Sequence, residues 1–178
     1  MKNQTFTLWS VMLVALASLA FPAWAADEKE GDILPTLTAH KVIVKADGKE
    51  VLEAAERAQP GEVIEYKVVY QNKSDHEVAG LQATLPVPAG MEYLSDTAKP
   101  VPVTASLDGD KYAAVPLKRK VKLPDGKEEE RTVPYAEYRF LRWDIGALSK
   151  GKNSTVIARM RVTPNVAAEA TQVKEDKK

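Results

Sequence analysis

The chain has 178 residues, with 25 Lys and Arg set against 25 Asp and Glu, and no Cys. That balance gives no electrostatic case for nucleic acid or for a strongly charged membrane surface. The missing thiols exclude disulfides, thiolate metal sites, a Cys nucleophile and thiol redox chemistry.

Residues 1–25 read as a secretory signal. Lys2 supplies the early positive charge, and Leu8 to Phe21 is an apolar stretch interrupted only by Ser10 and Ser18. Pro22 ends it, and Ala23-Trp24-Ala25 has the small-x-small form a signal peptidase needs. The apolar run is short of the ~20 residues that span a bilayer. Cleavage is expected after Ala25, with release to the periplasm or beyond. No Cys follows to carry a lipid, and no transmembrane segment is expected after cleavage. The rest is long enough for one domain with its own core.

Residues 26–34 are acidic and unpatterned, a flexible leader, and the domain is expected over 35–164. His40 to Lys45 reads as a short β-branched strand, followed by a turn at Asp47-Gly48. Val51 to Ala58 locally favours helix but spans only about two turns, too few to stand without packing. Period-two alternation then puts Ile64, Tyr66, Val68 and Tyr70 on one face. Leu81, Ala83 and Leu85 continue the pattern until Pro86 and Pro88 close the strand. Met91 to Leu94 is a short strand.

The middle stretch, 100–134, holds two Asp-Gly turns, Asp108-Gly109 and Asp125-Gly126. They separate candidate strands at Val101–Leu107, Tyr112–Leu123 and Glu128–Val133, and so predict hairpins. From Tyr135 to Ile145, Tyr138, Phe140 and Arg142 alternate with Arg139, Leu141 and Trp143. The last strand, Thr155 to Val162, sets Val156, Ala158, Met160 and Val162 on one side. Residues 165–178 are Ala-rich and then charged, a disordered tail. Short strands at regular spacing without a long helical pattern predict an all-β antiparallel sandwich, with a barrel as the alternative.

Two stretches carry a resemblance. The first holds Pro60-Gly61-Glu62, Tyr66, Asn72, Leu85-Pro86 and Gly90; the second holds Trp143, Gly146, Leu148 and Gly151. In order and spacing they resemble the surface-repeat domain of bacterial and archaeal envelope proteins, known as domain of unknown function number eleven. The resemblance covers 59–163 and implies an immunoglobulin-like β-sandwich working outside the cytoplasm. Two departures stand out: one copy instead of a tandem array, and a longer 100–134 connection. The family transfers no catalytic residues. Trp143 is expected to fill the space between two sheets.

A search for chemistry finds little. His40 and His76 are the only histidines and have no nucleophile elbow or metal-binding spacing around them. Asp108-Gly109-Asp110 clusters carboxylates of the kind hard cations favour, but the distal Glu of a calcium loop is missing, so a turn is expected. Glu128-Glu129-Glu130 reads as a solvated strand or turn. Lys118, Arg119, Lys120 and Lys122 form the one basic cluster. It serves either to face an anionic surface polymer or, more simply, to protect an edge strand from unwanted pairing. The expectation is an exported, non-catalytic module with no cofactor and no nucleic-acid partner. Its role is structural, or binding to an unknown envelope protein through Lys118 to Lys122. A chaperone-like assembly factor and a glycan-binding module, with Tyr93, Tyr112 or Tyr135 stacking a sugar, are the alternatives.

Overall fold

A computed structural model describes residues 31–164. The expected signal 1–25, residues 26–30 of the expected leader and the expected tail 165–178 lie outside the described residues.

Among the described residues, eleven strands run in chain order. They are β1 (Ile33–Val44), β2 (Glu50–Ala54), β3 (Val63–Asn72), β4 (Val78–Pro86), β5 (Met91–Tyr93) and β6 (Thr104–Ser106). Then come β7 (Ala113–Ala114), β8 (Lys118–Lys122), β9 (Glu128–Thr132), β10 (Phe140–Leu148) and β11 (Asn153–Val162). A single 3-10 turn, Tyr135–Glu137, precedes β10. All strand pairings are antiparallel: one sheet has the order β2-β1-β3-β11-β5, a second β4-β10-β6-β7, and β8-β9 is a separate hairpin. The two larger sheets pack as a sandwich, β3 against β4 and β11 against β10. Among the described residues, no helix is long and apolar enough to cross a membrane.

Alternation builds this core. Ile64, Val68 and Tyr70 of β3 face Ala83 and Leu85 of β4, Leu141 and Trp143 of β10, and Val156, Ala158 and Met160 of β11. Trp143 is only 1% exposed, and its indole N–H donates to the Pro100 carbonyl at 2.9 Å. It fills the space between the sheets, as its position implied. Taking β1, β3, β4, β5, β6, β10 and β11 as strands A to G, the sheets read A-B-G-D and C-F-E. Within the immunoglobulin-like architecture, E and G thus exchange places relative to the antibody constant-type order.

Several local expectations differ from what is seen. β1 begins at Ile33, inside the expected leader, and continues well before His40, because residues 33–41 pair continuously with β3. Residues 50–54 form strand β2 on the edge of β1 instead of a helical turn; a ladder of backbone bonds outweighs a weak local preference. Tyr112–Leu123 is two strands, broken at Val115-Pro116. Both Asp-Gly turns do close hairpins, β6-β7 and β8-β9.

Candidate functional site

The expected basic cluster lies on β8, in the hairpin that stands apart from both sheets. We call β8-β9 the arm. Ten strand residues make it, and all are exposed except the half-buried Val121. Such a hairpin is marginal alone in water, so its base must hold it. Leu117 and Val133, just outside the two strands, are buried and bonded to each other through Val133 N–H and Leu117 C=O at 2.8 Å. Leu117 N–H in turn donates to the hydroxyl oxygen of Tyr138 at 2.6 Å. Tyr138 is fully buried, stacked on Tyr93 with centroids 6.1 Å apart and edge-on to Tyr135 at 5.2 Å. Burial pushes the Tyr138 phenol above its ordinary range.

Charge on the arm is compensated locally. Lys118 pairs with Glu130 at 3.0 Å and Lys120 with Glu128 at 3.4 Å, both across the strands. Arg119 makes a two-pronged pair with Glu137 of the 3-10 turn, at 2.6 and 3.0 Å. Lys122 has no acidic partner among the described residues. Glu128, Glu129 and Glu130 lie on a solvated strand, as the sequence suggested. The cluster is therefore not a free positive patch: three of its four cations are answered by carboxylates, two placed by the hairpin register and one by the 3-10 turn.

Beside the arm's base, a recess of about 210 Å³ opens towards the β6-β7 turn. Leu117 and Val133 form part of its lining, with Leu107, Asp108, Lys111 and Lys118 around them. Leu107 is 39% exposed, a large apolar side chain left at a surface. Asp108 itself is spent on the turn. One carboxylate oxygen accepts from the N–H groups of Lys111 and Asp110 and from the Ser106 hydroxyl. These bonds hold its acidity below the ordinary carboxylate range. No group of three or more His, Asp or Glu suited to a metal occurs among the described residues.

The other candidates separate. His40 lies on β1, and His76 sits in the β3-β4 turn beside Asp75. They occupy different elements. Tyr93 is 2% exposed and offers no stacking face to a sugar. The Tyr112 ring carries the Arg142 guanidinium 3.4 Å from its centroid. A polar cluster that sequence reasoning missed lies on the outer face of the larger sheet. There Arg159 binds Glu65 through Nε at 2.9 Å and Glu50 through both terminal nitrogens. These bonds, Glu50 first, hold the Arg159 guanidinium charged far above its ordinary range and lower the Glu50 carboxyl. Glu50 is on β2 and Arg159 on β11, so no local pattern could have joined them.

No family model, curated protein or solved structure matches this chain.

Proposed function

We propose that this chain is an exported, non-catalytic β-sandwich module that binds another protein of the bacterial cell envelope, with the arm as its contact. The single observation that carries this reading is the arm itself. It adds almost nothing to the core, yet its base is fastened by two buried apolar residues, a buried tyrosine and a bidentate ion pair. A protruding hairpin held this firmly presents a shape to something outside the molecule. The recess at its base adds apolar area beside charged groups, the mixture found in protein interfaces. Local pairing of Lys118, Arg119 and Lys120 weighs against an anionic polymer as the main partner. The signal-like residues 1–25 and the resemblance to envelope repeat domains support placing the work in the periplasm or beyond.

The test is capture from envelope extract by the chain starting at Ala26, run beside a version whose residues 119–131 are replaced by an Asn-Gly turn. Lys118 and Thr132 stand directly opposite, so a two-residue turn can join them. Retention of one protein by the first and its loss from the second supports the reading. Equal retention by both removes the arm from it.

A further inference from the structure

The two sheets differ in width. β4 is the outermost strand of its sheet and lies over β3, while β1 and β2 extend beyond it in the facing sheet. Among the described residues, the inward side of β1 is therefore uncovered over its middle, at Pro35 and Leu37, while Ile33 and Ala39 on the same face pack against the core. Leu37 stands opposite Val68, which is core, so Leu37 points to the same side. Yet Leu37 is 57% exposed while Val68 is 5%. Pro35, opposite the buried Tyr70, is exposed as well. Among the described residues no strand lies beside β4 on that side, and Pro35 and Leu37 give the position an apolar floor.

The free side of β4 also differs from the other edges. Outer strands β5 and β7 have only three and two residues. β2 carries Glu50 and Glu53, β8 four cations and β9 three consecutive glutamates. Short or charged strands are how proteins discourage pairing at an edge. β4, VAGLQATLP, has nine residues and no charge. Pro86 blunts it at its very end, and the register shifts around Gly146 with Gly80 at φ 67° blunt its first half, which leaves Gln82 to Leu85 as the regular stretch. Val87 N–H bonds to β10 through Arg139 C=O, and Leu85 and Ala83 share its side of the strand. The N–H and C=O groups of Gln82 and Thr84 therefore point away from β10. The Thr84 C=O meets only the Tyr70 hydroxyl, at a long 3.4 Å.

We infer that this edge receives an extended segment of a partner polypeptide, about five residues long, uncharged, and apolar at alternate positions. The inference rests on the reading of the chain as a binding module and places a second contact, at the opposite side of the second sheet from β7. Geometry decides between occupants. A strand added to β4 lies above β1, about 10 Å away. A second folded copy cannot supply it through its own β4, because that strand is backed by its own β3, which would have to occupy the place β1 already fills. Only a strand free of a backing sheet fits. Its recognition chemistry is main-chain pairing with Gln82 and Thr84 and burial of alternate side chains on Leu37.

The test uses the whole chain from Ala26 to Lys178, isotopically labelled, and the blocked peptide acetyl-Ser-Val-Thr-Leu-Ser-Val-Thr-amide as probe. Amide exchange at Gln82 and Thr84 should slow at least tenfold at saturation, and the Leu37 methyl resonances should shift. Gln82→Pro removes one outward N–H without touching the β10 ladder and should weaken peptide binding at least tenfold with unchanged unfolding. A peptide carrying Pro at its two central hydrogen-bonding positions should not bind. Failure of the first peptide at millimolar concentration, or shifts confined to β8 and β9, overturns the inference. So does prior protection of Gln82 and Thr84 that vanishes on truncation after Pro164, which would make the chain's own tail the occupant. Loss of this slot while arm-dependent capture persists leaves the proposed function standing. A working slot with an arm that captures nothing does the reverse.

Discussion

The N–H of Leu117 and the hydroxyl of Tyr138 meet at 2.6 Å, and that bond joins the arm to the aromatic centre of the sandwich. Tyr138→Phe keeps the ring and its packing but leaves the Leu117 N–H without a partner inside the protein. An unsatisfied buried donor costs about 1–3 kcal/mol. Denaturant unfolding should show that loss, and amide exchange over 118–132 should quicken more than over β3 or β11. A uniform change across the molecule would mean that the bond does not hold the arm in particular.

Asn72 ends β3 fully buried and bonded on both sides. Its amide nitrogen donates to the His76 and Leu148 carbonyls at 2.8 and 2.7 Å, and its oxygen accepts from Ser74. It ties the β3-β4 turn to the end of β10. Asn72→Ala should cost about 2–4 kcal/mol, since two carbonyls and a turn lose their partner together. Thermal unfolding measures this directly, and a shift equivalent to an ordinary surface substitution would contradict it.

Alkaline pH should unfold the protein. Tyr93, Tyr70, Tyr66 and Tyr138 are all shifted above the ordinary value of 10.0, with burial as the leading cause. Each neutral phenol is favoured in the folded state. Their contribution is fully present below pH 10 and is lost as pH rises through the higher folded values. Stability followed from pH 8 upward should be level and then fall above about 10. Tyr138→Phe should make that fall shallower.

Across the arm, Lys118 and Glu130 are both well exposed, so their pairing should be weak. Lys118→Glu should destabilise by about 0.2–1 kcal/mol, and Lys118→Glu with Glu130→Lys should recover most of it. Molar salt should shrink the coupling read from the double-mutant cycle. A coupling unaffected by salt would mean that packing rather than charge links the two side chains.

Alternation made the central strands readable: the inward residues of β3, β4 and β11 lie where period two puts them. Tyr138 shows where that rule stops. Period two groups it with Phe140, yet Tyr138 is fully buried and Phe140 only half-buried. The backbone enters β10 from a 3-10 turn at Tyr135–Glu137, and the phase begins anew after it. β2 is not legible because its residues weakly favour helix until the ladder with β1 outweighs that preference. The basic cluster was visible as composition, but its neutralisation depends on hairpin register and on Glu137, which approaches from outside the hairpin. The β4 edge was out of reach for a different reason. Strand order is a property of the assembled sheets, and nothing within VAGLQATLP says which side will be left unpaired.

The arm's charge, six basic residues against four acidic ones over 118–132 with Glu137 adding a fifth, also bears on how fast a partner arrives. Positive and negative groups alternate within a few ångströms, so their fields cancel over the distances at which two proteins first sense one another. The small positive excess that remains adds little long-range attraction, and encounters should proceed near the pace of unguided docking, about 10⁵–10⁶ per molar per second. Selectivity would then reside in how long the partner stays.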